Sequence, residues 1–67
     1  MSKVEVKLKA RNEAGDDTIS TSILMDRTDA DDHDNISRLV EHFEAMVLVR
    51  YADFELADID VTSELLD

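Results

Sequence analysis

Residues 3–10 alternate without a break. Val4, Val6, Leu8 and Ala10 fall on one side, and Lys3, Glu5, Lys7 and Lys9 on the other. Successive side chains of a strand point to opposite faces, so a period of two marks a β-strand with one buried face. Such a strand needs neighbours along its edges and a cover over its apolar side. The rest of the chain has to supply both.

The first neighbour follows at once. Residues 12–17 form a polar turn holding Gly15, the only glycine of the chain, where a positive φ is cheapest. Residues 18–26 alternate again, with Ile19, Thr21, Ile23 and Met25 facing one way and Thr18, Ser20 and Ser22 the other. Two alternating runs around a short glycine-containing loop predict a β-hairpin. Its second strand is rich in Ser and Thr, and as an edge strand it could pair with another chain.

The cover is a helix. Residues 28–35 read as an acidic loop in which Asp34 or Asn35 caps the helix that follows. The helix is expected over about residues 36–52, with Ile36, Leu39, Val40, Phe43, Met46, Val47 and Tyr51 on one stripe. Phe43, Tyr51, Phe54 and the methionines could also line a groove, but their spacing favours a core. The C-terminal half of the helix has more apolar surface than one sheet face can cover. Ala45, Leu48, Val49 and Ala52 widen it, and Tyr51 adds an aromatic with a polar tip. These five residues are the predicted interface.

A third strand is expected over residues 54–61. Phe54 and Leu56 are in phase, as are Ile59 and Val61, but the two pairs are out of step. Either a bulge interrupts the strand or the helix runs on to about Ala57; the bulged strand is preferred. Residues 63–67 read as a frayed tail, with Leu65 and Leu66 able to dock on a neighbour. The predicted fold class is α+β: one small domain over residues 1–67 in the order β-β-α-β, its helix packed on one face of a three-stranded sheet. A right-handed crossover gives strand order 2-1-3, with order 1-2-3 as the alternative.

Charge supports the first order. Residues 1–12 carry Lys3, Lys7, Lys9 and Arg11 against Glu5, a net of +3, while the whole chain carries −10. A central first strand brings its lysines beside Glu55, Asp58 and Asp60 of the third. Such an acidic chain repels phosphate backbones and anionic lipid, so direct nucleic-acid or membrane binding is not expected. Disorder is a competing expectation for an acidic chain, but 43% apolar residues in periodic patterns oppose it. There is no cysteine, hence no disulfide, thiolate metal site or cysteine nucleophile. The longest apolar run is residues 45–49, far short of the ~20 residues that span a bilayer. The charged, alternating start does not read as a signal peptide, and a cytoplasmic protein is expected.

Chemistry-bearing motifs are sparse. Asp29, Asp31, Asp32 and Asp34 could offer oxygen ligands to a hard cation. Counted from Asp29, however, the sixth and twelfth positions of a calcium loop fall on Asp34 and Val40 instead of Gly and Glu. A solvated loop that caps the helix is the preferred reading, with His33 exposed in it. His42 follows Arg38 by one helical turn with no Ser or Cys on its face, and Glu41 and Glu44 could form a carboxylate pair. No phosphate loop and no hydrolase motif is present. The chain is therefore expected to be non-catalytic, without cofactor.

Three functions are compatible with these residues. The first is a protein-interaction module that self-associates or docks on a larger protein, as expected of a domain too small for a large core. The second is an acidic mimic of nucleic acid, inhibiting a nucleic-acid-binding protein by filling its basic cleft. By analogy of composition, small viral or mobile-element inhibitors do this. Its acidic surface would be Asp29, Asp31, Asp32, Asp34, Glu41, Glu44, Asp58 and Asp60. The third is a binding module organised by a divalent cation at the aspartate cluster. Acidity serving only solubility is the competing explanation for the charge.

Overall fold

The computed structural model describes residues 2–66. The element order is β1 (Lys3–Asn12), β2 (Thr18–Asp26), α1 (Arg27–Ala30), α2 (His33–Arg50) and β3 (Leu56–Leu65). The strands form one sheet in the order β2-β1-β3, with β1 antiparallel to both neighbours. This is the α+β, β-β-α-β arrangement expected from the sequence, in strand order 2-1-3.

Central position explains why β1 has the strictest alternation. Val4, Val6, Leu8 and Ala10 are all buried, and Val6 and Ala10 have no exposure at all. Opposite residues of an antiparallel pair share a face. The register therefore puts Ile19, Thr21, Ile23 and Met25 of β2 beside them, with Ile59, Val61, Ser63 and Leu65 of β3 on the other flank. α2 lies on this face. It buries Phe43 and Val47 fully, while Leu39, Val40 and Met46 pack partly against the same core.

The hairpin turn is organised by Asn12. Its Oδ1 accepts from the backbone N–H groups of Gly15 at 2.9 Å and Asp16 at 3.1 Å, and its Nδ2 donates to Asp16 Oδ1 at 2.8 Å. Gly15 has φ = 77°. A Cβ there would meet no atom within 4 Å, so glycine is favoured by the left-handed backbone and not by crowding.

Both ends of α2 and both ends of β3 differ from expectation. α2 starts at His33, not Ile36, and its cap is Asp32, whose carboxylate accepts the Asp34 N–H at 3.0 Å. Capping by Asp32 draws Asp34 and Asn35 into the first helical turn. The stretch expected to be wholly loop also contains the single turn α1. α2 ends at Arg50, so Tyr51 and Ala52 lie in the turn that returns Phe54 to the core. The Phe54 N–H closes that turn on Tyr51 O at 2.9 Å.

β3 begins at Leu56, not at 54, and continues to Leu65 instead of ending at 61. Residues 63–65, expected to fray, pair with β1, and the Leu66 N–H donates to Lys3 O at 3.0 Å. Asp67 lies outside the described residues. The out-of-step apolar pairs have the anticipated cause. Arg11 faces Asp58 while Asn12 faces Leu56, so Ala57 is an extra residue in β3. That bulge returns Leu56 to the face of Ile59, and both pack against the core.

Candidate protein-interaction surfaces

α2 carries apolar residues on two opposite sides. At 100° per residue, Leu39, Phe43, Met46 and Val47 point to the sheet, while Ala45, Leu48 and Val49 point away from it. Leu48 is 53% exposed and Val49 80% exposed. The predicted interface residues do not all fall together. Ala45, Leu48 and Val49 are on the outer side of α2. Tyr51 and Ala52, displaced by the earlier helix end, line a shallow hollow with Asn12, Thr18 and Phe54. Asp34, Glu41, Ala45 and Leu48 fall within one outward sector of α2. This side of α2 therefore carries Asp34, Arg38 and Glu41 towards its N-terminal end and is apolar at its C-terminal end.

The predicted acidic surface is divided by the fold. Asp29 belongs to α1, Asp31 and Asp32 to the junction with α2, and Asp34 to the first turn of α2. Asp31 lies 3.9 Å from Arg27, and Asp32 is occupied as a cap. Glu41 and Glu44 are exposed on α2. Asp58 and Asp60 instead project from the open face of the sheet, away from α2, and both pair with Arg11, Asp58 at 3.1 Å. Among the described residues, no three carboxylate or imidazole groups converge as a cation site. His33, at the start of α2, is exposed.

The lysines of β1 line the open face, where the sequence places them, but their partners differ from expectation. Lys9 faces Asp60 across the ladder. Lys7 faces Thr62 and has its Nζ 3.6 Å from Glu5 and 3.9 Å from Glu64. Lys3 donates to Asp26 Oδ1 of β2 at 2.7 Å. That hydrogen bond, and then the Asp26 charge, raise the Lys3 pKa above its ordinary 10.5. Folding thus favours the ammonium. Its contribution is complete below the ordinary lysine pKa and is lost as pH rises through the higher folded value. In melts at about pH 9 and about pH 11.5, wild type should lose more melting temperature than Lys3→Met. Equal losses would mean that the exposed pair adds nothing to stability.

Other apolar groups are exposed on the sheet. Val61 and Leu65 share the helix side of the sheet yet are 38% and 50% exposed, because α2 does not reach over them. Leu24, at 63% exposure, stands on the open face opposite Glu5. Leu65 and Leu66, expected from the sequence to be able to dock on a neighbour, are each 50% exposed, whereas the alternation gives no sign that Val61 and Leu24 are exposed. Among the described residues, no helix is long and apolar enough to cross a membrane. Comparison of the chain with protein-family models, curated proteins and solved structures gives no match.

Proposed function

We propose that this chain is a non-catalytic protein-interaction module that self-associates, docks on a larger protein, or does both, and that docking uses the outer side of α2. The observation carrying this reading is the exposed apolar group Ala45, Leu48 and Val49, on the side of α2 opposite the stripe that packs into the core. Exposing Val and Leu side chains together in so small a chain costs solubility, and such patches mark interaction sites. The complementary surface is an apolar pocket with a basic rim. Seven residues separate Glu41 from Leu48, so the rim would lie about 10 Å from the pocket along the helix axis.

A second reading is the nucleic-acid mimic, favoured by the exposed carboxylates at the α1–α2 junction and along α2. Arg11, shared between Asp58 and Asp60, offsets one of their two charges.

One double variant separates the two. Leu48→Glu with Val49→Glu keeps both substituted side chains in solvent and should leave the circular dichroism spectrum and melting temperature of the chain unchanged. A docking module loses its captured partner in this variant at every salt concentration. A mimic keeps its partner in the variant and loses it steeply as salt rises, as counterion-dependent binding does. Retention by the variant, combined with insensitivity to salt, would exclude both readings.

A further inference from the structure

A three-stranded sheet has two free edges, and here they differ in charge. β3 carries Asp58, Asp60 and Glu64, so a second β3 laid against it would bring carboxylates together. β2 has no ionisable side chain from Thr18 to Met25. It also lacks the proline, lysine or glycine bulge with which edge strands normally block pairing. In a chain of net charge −10, this is the line along which two copies approach with least repulsion.

Backbone geometry identifies the groups that would bond. The Arg27 N–H donates to Ser2 O at 3.2 Å, and the Asn12 N–H donates to Asp17 O at 3.3 Å. These bonds flank the β1–β2 ladder in the same register, and hydrogen-bonded pairs alternate along an antiparallel ladder. Ile19, Thr21, Ile23 and Met25 therefore turn their backbone groups to β1. Ser20, Ser22 and Leu24 turn theirs outward to the free edge. At one end, the outward Thr18 N–H is already held by Asp17 Oδ1 at 2.9 Å.

We infer that β2 pairs antiparallel with β2 of a second copy about a two-fold axis at Ser22, joining two sheets into one of six strands. The inference rests on the self-association reading and adds where the copies meet. In this register Ser22 faces its own counterpart, Ser20 faces Leu24, and Thr18 faces Asp26, so no acid meets an acid. On the helix side Ile19 faces Met25 and Thr21 faces Ile23. The half-buried apolar row of β2 thus continues into that of the second copy. A two-fold interface must be self-complementary in this way. The outer side of α2, with Asp34, Glu41 and Glu44 around its apolar residues, is less suited to meeting its own copy.

The test uses the full chain. Light scattering should give twice the monomer mass for wild type. Amide hydrogen exchange should show protection at Ser20, Ser22 and Leu24 but not at Ile59, Val61 or Ser63 on the β3 edge. Ser22→Lys places like charges opposite each other at the axis and should raise the dimer dissociation midpoint by up to about fivefold. Ser22→Pro removes only an outward N–H, so β1 pairing survives and the dimer is lost. Should the proline variant misfold, the lysine variant alone decides. A wild-type monomer at all concentrations would overturn both the inference and self-association while leaving docking through α2 intact. A dimer that survives Ser22→Lys but dissociates in the Leu48→Glu, Val49→Glu variant would keep self-association and overturn its assignment to β2.

Discussion

Phe43→Ala is expected to leave much of the chain unfolded at room temperature. The fully buried core among the described residues is Val4, Val6, Leu8, Ala10, Phe43 and Val47. Phe43 is its one aromatic member and, with Val47, one of the two residues of α2 buried in it. Truncating a buried Phe costs about 3–5 kcal/mol, from lost transfer energy and from the cavity left behind. At about 0.05–0.15 kcal/mol per residue, a chain of this length is stable by about 3–10 kcal/mol. One substitution therefore removes a large share of the total. Little relief is available, because Ala10 and Val47 beside it are too small to fill the gap. Urea titration followed by circular dichroism measures the loss. A destabilisation below about 1 kcal/mol would mean that α2 is held to the sheet by something other than this core.

Deleting Ala57 should have the second largest effect, although Ala57 itself is exposed. The extra residue lets Leu56 and Ile59 share one face of the sheet. Without it, pairing of residues 58–65 with β1 can persist only if Leu56 turns to the open side. If Leu56 keeps its place, the remainder of β3 slips by one residue, moving Ile59, Val61 and Leu65 off the core face. A one-residue slip exchanges the two faces of a strand, so either outcome exposes apolar side chains. Leu56 is partly buried, so exposing it costs about 1–2 kcal/mol, less than a fully buried Leu, and the slipped register adds the exposure of Ile59. Ala57→Ser, which keeps the residue count, should cost under about 0.5 kcal/mol. Equal stabilities of the deletion and Ala57→Ser in urea would show that the bulge does not set the register.

The pair of variants bears on how much of the fold is legible from residues alone. The phase slip between Phe54–Leu56 and Ile59–Val61 is visible in the sequence and implies a bulge. Its residue, Ala57, emerges only from the partner strand, because a bulge is defined by what lies opposite. β3 was expected to stop near Val61 because Thr62, Ser63 and Glu64 look like tail residues. They are held by β1, whose Lys3–Lys7 segment would otherwise have a bare edge. The cap of α2 was misplaced by two or three residues for a related reason. Asp32, Asp34 and Asn35 are all competent caps, and the choice depends on where α1 lets the chain turn.

For the candidate interface, Leu48 and Val49 were legible as surplus to the core because helical periodicity is a local property. Tyr51 and Ala52 would join them only on a helix reaching residue 52, and α2 ends at Arg50. The acidic set was legible as a composition and not as a surface, since the fold distributes it between α1, α2 and the open sheet face.

By itself the sequence determined the alternation that makes β1 two-faced, the hairpin at Gly15, the apolar stripe of α2 and the β-β-α-β order. Each depends on spacing within one segment, or on the handedness of a crossover. Only the tertiary structure decided where β3 ends, which residue bulges, which carboxylates Arg11 pairs with, and that the outward groups of β2 are those of Ser20, Ser22 and Leu24. These depend on the residue across the ladder, and strand pairing brings together residues that no local pattern in the chain connects.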